Sequence, residues 1–159
     1  MVHIKPVEPH QLGVVADLAK RIWPICYASI LTPAQIDNML ERIYTIENLQ
    51  SEMRSGHRFF AATLNDQPAG YASAYQEGDV LWLKKLYVLP DIQGQGIGKK
   101  LVGALIGVFP SSKEIRLLVN RDNLSAQHFY TKQNFVKIDE LPVKMGDFNF
   151  VDLVFSKRL

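Results

Sequence analysis

The stretch Gln93-Gly94-Gln95-Gly96-Ile97-Gly98 decides how this chain is read. It stands between an apolar strand, VLWLKKLYVL (80–89), and KKLVGALIGVF (99–109), where Ile97, Leu101, Leu105 and Val108 recur at the period of one helix face. The first amides of a helix have no partner inside it and the helix dipole adds positive character, so a glycine-rich turn placed there makes a site for an anion. Glycine lets that backbone turn tightly and approach a ligand closely. Two nucleotide-binding patterns fail. A P-loop needs G-x-x-x-x-G-K-[ST], whereas Gly94 to Gly98 is one spacer short and Lys99 is followed by Lys100. A dinucleotide fingerprint counted from Gly94 needs a third glycine where Lys99 stands. Lys99 and Lys100 fall in the first helical turn, where the dipole disfavours each cation by about 0.3–1 kcal/mol. A bound polyanion reverses that penalty.

Outward from the loop the chain alternates in texture. Upstream, HRFFAATL (57–64) and AGYASAYQ (69–76) flank the turn cluster Asn65-Asp66-Gln67-Pro68, and Glu77-Gly78-Asp79 leads into the strand at 80. Three strands joined by short turns predict an antiparallel meander. Before them, a short strand at HIKPV is followed by helical spacing in Leu12, Val15, Leu18, Ala19 and Ile22. Thr32-Pro33-Ala34-Gln35 has capping-box spacing with Pro at the first helical position, and Thr45 caps a further helix that stops at Gly56. Downstream come a strand EIRLLVN (114–120), a helix from Asn123 to about Gln133, a strand FVKIDELPVKM (135–145), a Gly146-Asp147 turn and a strand FNFVDLVFSKR (148–158). The order predicts a mixed α/β fold whose sheet changes from antiparallel to parallel around the glycine loop, with helices flanking it.

Composition narrows the classes. A length of 159 residues points to one domain over 1–159, and 47% apolar with 21% charged residues is an ordinary globular balance. Eighteen Lys+Arg against sixteen Asp+Glu leave +2, which gives no reason to expect nucleic acid or an anionic membrane as partner. The single cysteine, Cys26, cannot form an internal disulfide, and no metal is expected because His3, His10, His57 and His128 lack ligand spacing. MVHIKPVEPH lacks a signal-peptide core and no apolar run reaches membrane-spanning length, so a cytoplasmic location is expected.

The spacing of Gln93, Gly96 and Gly98 after LKKLYVLP resembles the pyrophosphate-binding motif of the GNAT superfamily of acetyl-CoA-dependent N-acetyltransferases. A second block, VNRDNLSAQHFYTKQNFVK (119–137), is similar to that family's next segment, with Asn123, Ala126, Tyr130 and Phe135 at the corresponding places. The element order also matches the family's fold over nearly the whole chain. The helical region IDNMLERIYTIENLQSEM and the end KMGDFNFVDLVFSKRL resemble the polyamine N-acetyltransferase-like branch.

The resemblance implies acetyl-CoA as co-substrate and a small amine-bearing acceptor. Backbone groups of Leu86, Tyr87 and Val88 would hold the pantetheine arm as an added strand, while Leu86 and Val88 side chains also suit a core. Gln93, Gly94, Gln95, Gly96, Ile97, Gly98 and Lys99 would hold the pyrophosphate. Asn123 would lie near the pantetheine arm and also suits a helix cap. Tyr130 is implied as general acid to the leaving thiolate, beside its alternative as a core tyrosine next to Phe129. The family's strand glutamate has no counterpart in Trp82-Leu83-Lys84-Lys85, and Glu77 and Asp79 read as turn residues, so no base is nominated. That absence leaves a non-catalytic acyl-CoA sensor as the alternative, with a nucleotide-binding module behind it. Trp23, Tyr27, Ile30 and Leu31 are candidates for the acceptor pocket, with core packing as their other reading. FNFVDLVF, if it formed an uncovered apolar edge, would favour a homodimer.

Overall fold

The computed structural model describes residues 1–159. Strand β1 (Val2–Pro6) leads through a short 3-10 turn to α1 (Leu12–Cys26), α2 (Pro33–Ile43) and α3 (Ile46–Arg54). The meander follows as β2 (Arg58–Leu64), β3 (Gln67–Glu77) and β4 (Val80–Val88). Then come α4 (Ile97–Val108), β5 (Glu114–Asn120), α5 (Leu124–Lys132), β6 (Val136–Met145) and β7 (Phe148–Arg158).

Local chemistry sets the boundaries. The Thr32 hydroxyl accepts from the Gln35 amide at 3.1 Å while the Gln35 side chain accepts from the Thr32 amide at 2.8 Å, closing the reciprocal cap that starts α2. Thr45 caps α3 by accepting from the Asn48 amide at 3.1 Å. Asn65 and Asp66 both take positive φ, 51° and 66°, the two-residue turn that matches the twist of β2 and β3.

The seven strands form one sheet in the order β1-β2-β3-β4-β5-β7-β6. Only β4 and β5 are parallel, and α4 is the crossover between them. The expected switch to parallel therefore lasts for one pair, because β7 returns antiparallel to β5 and β6 antiparallel to β7. This order also removes the premise of an apolar edge at FNFVDLVF. Strand β7 is paired on both sides, and the outer strand is β6, whose Lys137, Asp139, Glu140, Pro142 and Lys144 blunt it.

Helices cover both faces. Leu12, Val15, Leu18, Ala19, Ile22 and Trp23 of α1 pack with Ile36, Leu49, Phe59 and Tyr71 on one side. Ile97, Leu101 and Leu105 of α4 pack with Tyr130 of α5 and with Leu81, Leu83, Ile115 and Leu117 of the strands on the other. Leu101 and Leu105 are fully buried. Each such side chain contributes about 1.5–3 kcal/mol relative to an exposed one. No helix is long and apolar enough to cross a membrane.

Candidate active site

A fork between β4 and β5 organises the site. Their pairing runs from Val80 and Glu114 to Leu83 and Leu117 and stops. Strand β4 nevertheless continues to Val88 along β3, and β5 continues to Asn120 along β7. The cause is a bulge: Ser73 faces Lys85 and Ala74 faces Leu83, so Lys84 is an extra residue in β4. A bulge bends its strand and increases the local twist, which here turns β4 away from β5. The β4 edge from Lys84 to Val88, including Leu86 and Tyr87, is left without a partner strand on the β5 side.

The glycine loop follows the free half of β4 and leads into α4. Gly94 and Gly96 take φ of 92° and 75°, and a Cβ at either would meet nothing within 4 Å, so their need for glycine is conformational. Gln93 anchors the loop by donating from its side-chain amide to the Val88 carbonyl at 3.2 Å. The first helical bond runs from the Lys100 amide to the Gly96 carbonyl at 3.1 Å, and no amide from Gly94 to Lys99 donates to a protein acceptor. Six consecutive free N–H groups, leading into and opening a helix, are donors that an anion can use. Lys99 and Lys100 are exposed beside it.

Two residues of the motif serve packing as well. The Ile97 side chain is in the core, leaving only its backbone to the loop surface. A Cβ on Gly98 would come 3.2 Å from the Phe129 ring, so this glycine sets the close approach of α4 to α5.

The opposite wall is α5. Asn123 caps it, accepting from the Ala126 amide at 3.2 Å, and is itself buried. Tyr130 sits edge-on to Phe129, Phe135 and Phe155, with ring centroids 5.4, 5.5 and 6.3 Å away. It belongs to the core and also lines the cleft. Burial raises its phenol well above the ordinary value, with Tyr27 and Cys26 adding to the effect, so the proton stays on.

The fork opens into a cavity of about 250 Å³ on the α1–α3 side. Trp23, Tyr27 and Leu31 line it. Ile30 does not: it packs, half-buried, against the α1–α3 core, one residue out of phase with Leu31. The Tyr27 and Tyr87 hydroxyls hydrogen-bond at 2.9 Å across its floor, and Tyr71 donates to Tyr44 at 2.7 Å behind them. Burial raises all four phenols, which keeps this floor uncharged.

Three charged side chains reach the cavity: Lys84, Lys85 and Asp152. Lys85 is buried and pairs with Glu52 of α3 at 2.6 Å. Asp152, on β7, stands in register between Asn120 and Leu141, and burial raises its carboxyl while Lys84 opposes the rise. Neither Glu52 nor Asp152 is apparent from sequence spacing, because one reaches the site from α3 and the other through the insertion of β7. Glu77 and Asp79 lie at the β3–β4 turn, as expected, outside the cavity.

Residues 16–135 match the acetyltransferase (GNAT) family. No curated protein matches the chain. Among solved structures, PaiA N-acetyltransferase from Thermoplasma acidophilum in complex with coenzyme A superposes with a TM-score of 0.85 at 22% identity, over 100% of this chain and 99% of that one. A GCN5-related N-acetyltransferase from Rhodopseudomonas palustris gives 0.83 at 21% identity, over 99% and 95% of the two chains. The ribosomal-protein-S18-alanine N-acetyltransferase from Escherichia coli gives 0.74 at 18%, over 99% and 94%. At these identities the likeness is one of fold.

Proposed function

The chain belongs to the GNAT acetyltransferase family, and on that premise we propose that it transfers the acetyl group of acetyl-CoA directly to a primary amine of a small molecule or peptide. The observation that carries this reading is the fork itself: an unpaired β4 edge beside six free loop amides, with Tyr130 on the facing wall. Backbone groups of Leu86, Tyr87 and Val88 receive the pantetheine arm by strand addition, and the amides from Gly94 to Lys99 take the pyrophosphate. The residues fit such a ligand, since the positive-φ glycines leave the loop's outer surface open and Lys99 and Lys100 supply positive charge. Asn123 holds the mouth of α5 in place beside the arm.

In this reading the acceptor amine and the thioester carbonyl meet in one cleft, and holding them together supplies much of the acceleration. The amine nitrogen bonds to the carbonyl carbon, the carbon–sulfur bond breaks, and the sulfur takes a proton from the Tyr130 hydroxyl. A phenol held this far above its ordinary value cannot stand as a free tyrosinate. Its proton is therefore replaced as it leaves, by one that the nitrogen sheds on becoming an amide. Tyr130 acts as donor and relay.

An acceptor screen with acetyl-CoA, reading thiol release, tests the reading with the parent protein and Tyr130→Phe. The parent turns over at least one class of primary amine. The variant loses about 100-fold or more in kcat while still binding acetyl-CoA, because no protein group hydrogen-bonds the hydroxyl it removes. A second reading, a non-catalytic acyl-CoA sensor, draws on the ion-paired Lys85 on the strand before the loop, where many family members carry a glutamate. Binding of acetyl-CoA without turnover of any amine would favour it.

A further inference from the structure

Asp152 is the unexplained group of the cleft. The molecule has three ion pairs, Lys85–Glu52, Arg116–Glu114 and Lys137–Glu140, and Asp152 is in none of them. It is half-buried opposite Asn120 at the end of β5, three residues beyond the last β4–β5 pair and close in sequence register to the mouth of α5, and it lines the cavity together with Tyr130. Lys84 acts on it through space but is exposed and forms no ion pair with it, so this carboxylate, taken partly out of water, recovers its lost solvation only when a ligand supplies a close opposite charge. Around it the cavity is apolar and aromatic, with Trp82, Tyr75, Met145 and Phe150 among its walls.

The geometry points to Asp152 as the residue that receives the acceptor's ammonium group and takes its first proton, with the acceptor a compound bearing one amine on an apolar or aromatic body. This rests on the acetyl-transfer reading. The remaining charges argue for a single amine. Lys85 is neutralised by Glu52, but Lys84 is not paired, and the two lysines border the same cavity of about 250 Å³. A second ammonium on the acceptor would find no carboxylate left and one free cation against it. The apolar and aromatic walls instead favour an acceptor that brings apolar surface out of water.

The proton balance closes. The ammonium gives one proton to the Asp152 carboxylate, which passes it to solvent after turnover. The neutral nitrogen attacks, and its next proton restores the one Tyr130 gives to sulfur. The products are the N-acetyl amide, the free thiol and one released proton. Burial also lifts the Asp152 carboxyl toward the amine's range, in the direction a proton acceptor needs.

The test measures kcat/KM for phenethylamine, hexylamine, putrescine and spermidine in the parent protein and Asp152→Asn, with acetyl-CoA binding followed by calorimetry. A fifth acceptor, the β,β-difluoro analogue of phenethylamine, arrives mostly neutral in mildly alkaline buffer because fluorine lowers its basicity. The parent prefers the two monoamines. Asp152→Asn binds acetyl-CoA as the parent does, loses about 100-fold in kcat/KM for phenethylamine, and loses far less for the fluorinated analogue. Equal losses for both amines, or no loss, overturn the role of Asp152. Preference of the parent for spermidine or putrescine overturns the acceptor class. Absence of thiol release with every amine overturns the acetyl-transfer reading and this inference with it.

Discussion

Lys85 of β4 and Glu52 of α3 form a 2.6 Å ion pair beneath the cleft, with side chains only 3% and 15% exposed. The Lys85 ammonium also lies 5.6 Å from the ring centroids of Tyr44 and Phe59. It follows the bulge directly, so the pair ties the bent half of β4 to the helical layer beside the cavity. Burial lowers the Lys85 ammonium below its ordinary value while Glu52 works against the drop.

Removing one partner should therefore be far worse than removing both. Glu52→Gln strands a buried cation and is expected to lose about 3–5 kcal/mol in urea unfolding, whereas Lys85→Met with Glu52→Leu stays near the parent. Equal stability of Glu52→Gln and the parent would show that the pair does not tie β4 to that layer.

Gly98 belongs to the loop motif but answers to Phe129. Because an added Cβ comes 3.2 Å from that ring, Gly98→Val should push α4 and α5 apart. A loss of about 1–3 kcal/mol is expected, the ordinary range for overpacking. Thermal unfolding reads it. An unchanged melting temperature would mean that the helices separate freely and that Gly98 is present for the ligand alone.

Three buried tyrosines and two half-buried ones predict an alkaline limit. Tyr27, Tyr44, Tyr71, Tyr87 and Tyr130 are all raised above 10.0, chiefly by burial. Above that pH the unfolded chain releases phenolic protons that the folded chain retains, so the folded state binds more protons and stability falls as pH rises. Below pH 10 the contribution is fully present. Urea midpoints measured upward from neutral pH should hold level with respect to tyrosine and then drop, with tyrosinate absorbance beyond that of the sixth, partly exposed Tyr75 appearing only as the protein unfolds. Ionisation of these phenols in the folded state near pH 10 would contradict the closed floor.

Much of this arrangement was legible in the residues because local chemistry controls it. The Thr32–Gln35 cap, the Asn65-Asp66 turn, β5 at Glu114–Asn120 and β7 at Phe148–Arg158 follow from capping, positive φ and apolar patterning. The fork left a readable trace as well. Leu81 and Leu83 share one parity and Leu86 and Val88 the other, so the apolar alternation slips by one at the Lys84 bulge. What sequence order could not reveal depends on long-range placement. Insertion of β7 between β5 and β6 puts Asp152 opposite Asn120, and only the docking of α3 brings Glu52 to Lys85 across 33 residues. Ile30 failed as a lining residue because the turn after α1 presents Leu31 to the cavity instead.

The central claim is that the unpaired β4 edge and the free amides from Gly94 to Lys99 hold acetyl-CoA. Calorimetric titration tests it with the parent protein and Gly96→Glu, whose side chain is strained at φ 75° and places a negative charge against the anion. The account predicts one saturable binding event per chain in the parent and an affinity weakened by about 10-fold or more, roughly 1.4 kcal/mol, in the variant. No heat and no saturation in the parent would contradict it.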